Sequence, residues 1–275
     1  MRAQVEGAGM TVAIIGAGRI GEALLAGLLK SGFDPAGIVV AEKDSARAAA
    51  VSTQHGVRAT TPKDAAAGAE LLVIAVKPQD MASLLAEIGP ALEPAALVVS
   101  LAAGITLDFL QSHLPAGTPV VRVMPNTPLL VGEAMSALSA GGHVGEEQLE
   151  RAEALLGSVG RVVRVPESQL DAATALSGSG PAYFFYLIDA MIEAGVLLGV
   201  PRALATELMV QTALGSARML RESGEHPALL REAVTSPAGT TAAALAELDR
   251  RAVRGAILDA LTAARDRSVE LGRPR

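Results

Sequence analysis

Short apolar runs alternate with amphipathic stretches over roughly the first 165 residues. Strands are predicted at Thr11–Ile15, Ile38–Ala41, Leu71–Val76, Leu97–Leu101 and Val120–Val123, with weaker ones at Met135–Ser139 and Arg161–Val165. The early runs are apolar almost throughout, the pattern of parallel strands covered on both faces. Helical stretches such as Gly21–Ser31 and Ser45–His55 lie between them, so the expected sheet is parallel and doubly wound. From about Pro166 the period turns helical and stays so, over Gln169–Leu176, Ala182–Leu198, Arg202–Glu222, Pro227–Val234, Thr241–Leu248 and Arg251–Leu271. Glycine- and proline-bearing segments punctuate it, among them Ser177–Pro181 and Ser236–Gly239. The segment Ala182–Val200 carries only Asp189 and Glu193 as charges, and a helix apolar all round must be covered all round. A second copy of the chain is the readiest cover; a self-sufficient bundle is the alternative.

Composition narrows the function. The chain has 275 residues, half of them hydrophobic but only 2% aromatic, and no cysteine. Without cysteine there is no disulfide and no thiolate chemistry, which fits a cytoplasmic location. A net charge of −6, with scattered Lys and Arg, argues against a nucleic-acid partner. No uninterrupted apolar run approaches the roughly 18 residues of a membrane span, so no membrane partner is expected. Residues 1–9 are read as a disordered or tag-like extension, 10–165 as a dinucleotide-binding domain, and 166–275 as a helical substrate-binding and dimerisation domain.

The chemistry starts at Gly16-Ala17-Gly18-Arg19-Ile20-Gly21, placed between a strand and a helix. In that context Gly16 permits a tight turn, Gly18 lets backbone approach a pyrophosphate, and Gly21 lets helix pack on strand. This is a Rossmann-type phosphate turn, with the helix N-terminus facing the anion. Packing alone is the bland alternative. Glu42, 21 residues beyond Gly21, suits a ribose 2′-hydroxyl and so NADH; Lys43 and Arg47 suit the 2′-phosphate of NADPH; or all three face solvent. The four histidines share no metal spacing, and no metal is expected. His226 is read as a turn residue, Asn126 as a turn-former, and Lys77 as packing along the cofactor rather than as a catalyst. Tyr183 to Tyr186, an aromatic run, is read as core or interface.

Ala75-Val76-Lys77-Pro78, Ser100–Gly104, Met124–Pro128, Leu176–Tyr183 and Val234–Thr241 together resemble the pyrroline-5-carboxylate reductases, in order and spacing, from Thr11 to about Leu271. The resemblance implies NAD(P)H-dependent reduction of L-Δ1-pyrroline-5-carboxylate to L-proline, the last step of proline biosynthesis. It implies that Gly16–Gly21 hold the pyrophosphate and that Ala75, Val76, Lys77, Pro78, Ala102 and Ala103 line the nicotinamide end. It implies that Ser236–Thr241 form the substrate loop, that Glu167 lies near substrate, and that the helical domain interlocks into dimers that assemble into rings. NADPH is the family default, and Glu42 pulls toward NADH.

The residues fit that chemistry. A cyclic imine is readily protonated, so the protein must chiefly orient it, hold its carboxylate and exclude water. Free N–H groups at Gly239, Thr240 and Thr241, with the Ser236 hydroxyl, suit the carboxylate. Thr241 or Thr240 suits the ring nitrogen, and Thr241 is the candidate proton donor; both are also ordinary cap residues. Glu167 is either a counter-charge to the iminium or a helix cap. Two other readings are a related hydroxyacid dehydrogenase or imine reductase, which would carry a catalytic Lys or Asp near Ser177–Pro181, and a non-catalytic dinucleotide sensor, which would have a degraded substrate loop.

Overall fold

Apolar alternation across one sheet explains the first part of the molecule. The computed structural model describes residues 10–272, so the reading of residues 1–9 lies outside the described residues. Eight strands, β1 (Val12–Ile15), β2 (Ile38–Ala41), β3 (Arg58–Ala59), β4 (Leu71–Ile74), β5 (Leu97–Ser100), β6 (Val120–Met124), β7 (Ala134–Ala140) and β8 (Gly160–Arg164), pair in the order β3-β2-β1-β4-β5-β6-β7-β8. Alternate residues of each strand feed opposite faces. Val12, Ile14, Val40 and Val73 join one buried cluster, while Ala13, Ile15, Val39 and Leu72 join another. On the first face lie α1 (Arg19–Lys30), α2 (Ser45–His55) and α6 (Glu146–Gly157), through Leu24, Val51 and Leu155. On the second lie α3 (Pro62–Ala67), α4 (Met81–Ile88) and α5 (Leu107–His113), through Ala65, Leu85 and Leu110. The sheet is therefore doubly wound, as its sequence pattern implies.

Two details depart from that pattern. β7 runs antiparallel to β6, pairing Arg122 with Ser139 and Met124 with Ala137. The segment between them holds only a short 3-10 turn, Thr127–Val131, too little for the crossover a parallel neighbour needs. β3, two residues long, was not among the expected strands: Arg58 is exposed and gives no apolar run.

The remainder is helical: α7 (Leu170–Ala173), α8 (Gly180–Leu197), α9 (Arg202–Ser223), α10 (Pro227–Ala233), α11 (Thr240–Arg250) and α12 (Val253–Leu271). Packing changes later than periodicity does. The first compact unit runs through Ser179 and takes up the chain again from Ala264, whereas Gly180–Ala263 form the second. Residues 167–179 are helical yet pack with the sheet unit, held by polar contacts described below. Ser177–Pro181 is not the break that its composition suggests. Thr174–Gly178 form a widened π turn, with Ser179 N–H donating to the Thr174 carbonyl at 2.8 Å, and α8 follows directly. Pro181 has no N–H to continue an ordinary ladder, and a β-carbon on Gly178 would stand 2.4 Å from Met124 Cε.

Inside the second unit, α8 and α9 approach closely where Gly195 meets Ala205, as small residues allow. Little else is buried there. Phe184, Phe185 and Tyr186 are 63%, 69% and 75% exposed, so this aromatic run is not core of a single chain. The helical stretch Glu167–Leu197 meets the length and hydropathy of a bilayer span over an 18-residue window. That test is one of length and composition alone, and it tolerates two charges where an uninterrupted apolar run tolerates none.

Candidate functional site

The Gly16–Gly21 turn sits where β1 meets β4, the point at which the strand order reverses and open α/β sheets bind ligands. Its glycines occupy three different environments. Gly16 has φ +95°, and a β-carbon there would meet the Ala75 carbonyl oxygen at 2.7 Å. A β-carbon on Gly21 would fall 1.9 Å from the Gly16 carbonyl oxygen, so α1 could not pack this closely. Gly18 is the N-cap of α1, and nothing lies within 4 Å of the position its β-carbon would take. Two positions are thus closed by backbone while the middle one faces open space. Beyond it the first-turn N–H groups of Arg19, Ile20 and Gly21 lack intrahelical acceptors. The arrangement fits a dinucleotide pyrophosphate.

A cleft of about 930 Å³ opens beside the turn. Of the expected cofactor residues, Gly16, Gly18, Glu42, Lys43, Ala75, Val76 and Lys77 line it. Ala17, Arg19, Ile20, Gly21, Pro78, Ala102 and Ala103 do not. Arg47 also lines it, as do Thr60, Thr61, Asp80, Ser83 and Glu87, which the sequence reading did not single out. Thr60 and Thr61 reach the cleft because β3 pairs beside β2. The Glu42 carboxylate is fixed by two backbone donors, Ala17 N–H to Oε2 at 2.8 Å and Asp44 N–H to Oε1 at 3.2 Å. Arg47 holds the other backbone group of the same residue, its Nε donating to the Ala17 carbonyl at 2.6 Å. Glu42, Lys43 and Arg47 therefore all stand at the cleft, and Glu42 and Arg47 grip the turn. Lys77, the N-cap of the 3-10 turn Pro78–Asp80, lines the cleft.

At the far end of β5, Ala102 is buried, and its N–H lies 3.4 Å from Ser100 Oγ. Nearby, Arg122 of β6 is 6% exposed and faces two carboxylates. It donates to Glu167 Oε1 at 2.9 Å and lies 3.9 Å from Asp171 Oδ1. The Leu107 N–H donates to the same Glu167 oxygen at 2.7 Å, so Glu167 caps the first turn of α5 from a distance. Ser268, near the end of α12, donates to Asp171 at 2.7 Å. A buried arginine left without these carboxylates would be costly, which explains why residues 167–179 and the end of α12 belong to the sheet unit. Asn126 is a bracket: Nδ2 donates to the Ser177 carbonyl at 3.0 Å, and Oδ1 accepts the Met135 N–H at 2.9 Å.

The expected substrate loop lies in the second unit. Gly239 caps α11 with no side-chain capping bond, leaving first-turn N–H groups at Thr240 and Thr241. Its own N–H is spent on the Ser236 carbonyl at 3.0 Å, so of the three expected backbone donors it is the one already engaged. The hydroxyls of Ser236, Thr240 and Thr241 make no hydrogen bond among the described residues, whereas Thr235 donates to the Arg231 carbonyl at 2.6 Å. Ala238 holds φ +56°, a left-handed conformation that is strained for alanine. His226 caps α10, its Nδ1 accepting the Ala228 N–H at 3.2 Å, which suits the turn reading. Among the described residues no group of three His, Asp or Glu is arranged to hold a metal.

A reversing parallel sheet, a glycine turn with one open position and an adjoining cleft define a dinucleotide-binding oxidoreductase, here joined to a helical unit. Comparison with known proteins narrows the class. Residues 11–104 match the family described as NADP oxidoreductase, coenzyme F420-dependent, and residues 167–271 match pyrroline-5-carboxylate reductase dimerisation. The chain is 45% identical over 267 residues to a pyrroline-5-carboxylate reductase of Corynebacterium melassecola, covering 96% of this chain and 99% of that one. The pyrroline-5-carboxylate reductase structure from Coxiella burnetii superposes with a TM-score of 0.91 at 35% identity, over 96% of this chain and 99% of that one. That of the Plasmodium falciparum enzyme with NADP bound gives 0.86 at 28%, over 96% and 99%. The chain belongs to the pyrroline-5-carboxylate reductase family. Its helical part is a dimerisation domain, which supplies a protein partner for the exposed apolar surface of α8.

Proposed function

We propose that the protein reduces L-Δ1-pyrroline-5-carboxylate to L-proline, binding the dinucleotide in the cleft beside Gly16–Gly21 and the substrate carboxylate at Ser236–Thr241. Family membership names the reaction. The observation in this molecule that carries it is the glycine turn, closed at Gly16 and Gly21 and open at Gly18. When bound, the reduced nicotinamide supplies a hydride to the imine carbon, and the ring nitrogen takes up a proton. The chain's own residues do the rest. The Thr240 and Thr241 N–H groups hold the carboxylate at the start of α11, with the Ser236 hydroxyl beside them and Gly239 setting the turn. The Thr241 hydroxyl bonds the ring nitrogen and is the candidate proton donor. Glu167, whose Oε1 already serves Arg122 and the α5 N-terminus, steadies the chain that follows Ala102 and Ala103. Ala75, Val76, Lys77 and Pro78 shape the wall toward the nicotinamide.

Of the two dinucleotides, NADH is preferred in this reading. The rim of the cleft carries Glu42, Asp44, Asp80 and Glu87 against Lys43, Arg47 and Lys77. Glu42, held by two backbone amides, keeps lone pairs for ribose hydroxyls and repels a 2′-phosphate. The enzyme is cytoplasmic in the same reading, and its dimers, built through α8, α9 and α12, assemble into rings. Initial rates with the imine, at equal subsaturating NADH and NADPH, test this. Turnover with NADH favoured is expected. Turnover favouring NADPH would overturn the preference, and no turnover in a protein that binds dinucleotide would point to another imine or to a sensing role.

A further inference from the structure

Arg47 is where the two readings of the adenosine end collide. It lines the cleft, but its guanidinium is already spoken for. Nε donates to the Ala17 carbonyl at 2.6 Å, and Nη2 to Glu22 Oε2 at 2.6 Å. Glu22 stands in the first turn of α1 and does not line the cleft. Its second oxygen lies 3.4 Å from Nε2 of His55, at the other end of α2. One carboxylate thus joins the start of α1 to both ends of α2. Lys43, by contrast, makes no ion pair among the described residues.

An arginine recognises phosphate through its charge and its planar fork of donors; here the charge is paired and the Nε–Nη2 edge of the fork is engaged, which leaves Nη1 as the remaining donor group. The Glu22 carboxylate neutralises the charge, and the two bonds fix the plane of the fork. We infer that Glu22 sets the dinucleotide preference by sequestering Arg47, so that an arginine at the adenosine end does not make the enzyme NADPH-selective. Glu22 is a positioning residue, acting through Arg47 on the site assigned above. The inference rests on that assignment, but its test does not require turnover.

The probes are adenosine 2′,5′-bisphosphate and 5′-AMP, which differ only in the 2′-phosphate, titrated calorimetrically into the full-length oligomer. Glu22→Gln keeps the shape of the side chain and removes its charge. Affinity for the bisphosphate should rise roughly fivefold to tenfold, with less than about a twofold change for 5′-AMP, as one freed charge-assisted contact implies. Equal changes for both would show that Glu22 merely ties α1 to α2, overturning the inference. The gain should vanish in Glu22→Gln/Arg47→Ala; a gain that survives without Arg47 would mean that the glutamate repels phosphate directly, and would also overturn it. If Glu22→Gln unfolds the turn, Arg47→Ala alone decides. It should change the affinities for the bisphosphate and for 5′-AMP by the same factor, to within about twofold, whereas a loss of about tenfold confined to the bisphosphate would show Arg47 already on the 2′-phosphate. The NADPH-to-NADH ratio of kcat/KM should rise with Glu22→Gln in parallel. Failure of imine turnover would refute the proposed reaction while leaving the binding result to decide the role of Glu22.

Discussion

The sheet unit and the helical unit solve the burial problem in opposite ways. β1, β2, β4 and β5 are buried at every position within one chain, and two apolar clusters sandwich the sheet. In α8, eighteen residues long and nearly uncharged, only Gly180 and Ile192 are buried in the single chain. The sheet closes its own core, while the helices carry a surface that a second copy must close. Dinucleotide binding belongs to the self-sufficient half, so it should survive damage to the other. The largest expected effect tests that. Phe185→Glu puts a charge on the exposed aromatic face, and burying an unpaired charge in an interface costs several kcal/mol, of order 3–5. Light scattering should show the oligomer dissociating, and turnover should fall at least about a hundredfold at micromolar protein. Tryptic digestion should still leave a fragment of the sheet unit that binds 5′-AMP. An intact oligomer carrying this substitution would break the comparison.

A smaller effect separates the halves by chemistry. Thr241→Ala removes a hydroxyl that makes no hydrogen bond among the described residues, so folding has little to lose. If it bonds the ring nitrogen, turnover of the imine should fall by about a hundredfold or more, the lower end of the range for one positioned acid or base. NADH affinity, measured by fluorescence titration, should stay within about twofold. Equal losses in both would make Thr241 a structural residue of α11 and remove the division of labour between the units.

The same contrast governs how much was legible in the sequence. Strands buried on both faces write themselves as uninterrupted apolar runs, so β1, β2, β4, β5 and β6 were visible to within two residues. Helices α8 to α12 were equally visible, because periodicity needs no knowledge of what covers them. β3 was not, since Arg58 and Ala59 pair through backbone at an edge and carry no pattern. With it went Thr60 and Thr61, which reach the cleft only through that pairing. The direction of β7 was hidden too, because strand direction depends on the length of a connection rather than on the apolar run it joins. At the candidate site, spacing sufficed to single out Gly16, Gly18 and Glu42, which line the cleft and are local to β1 and β2. It could not reveal that Glu167 serves Arg122 and the Leu107 N–H, groups 45 and 60 residues away. Nor could it show Glu22 holding Arg47. Such pairs exist only once the sheet has been wound.

The smallest expected effect probes whether the sheet unit is as self-contained at its edge as in its centre. Arg164, at the end of β8, donates to Glu146 and Glu153 of α6, at 2.6 Å and 2.5 Å. The hydrogen bond from Arg164, helped by its charge and opposed by partial burial, holds the Glu153 carboxyl below its ordinary value. A folded pKa that is depressed stabilises the fold above the unfolded value and loses that contribution as pH falls through the folded one. Arg164→Ala should therefore lower Tm slightly at pH 7, and the difference from the parent should shrink once pH drops below about 4. The change should be small, because exposed pairs contribute little, and it should leave NADH affinity and turnover untouched. A Tm difference that stayed constant down to pH 3 would assign the role of Arg164 to the packing of its methylene stem against α6. An effect on oligomer size would be more serious, since it would put the edge of the sheet into the interface that the helical half is otherwise taken to supply alone.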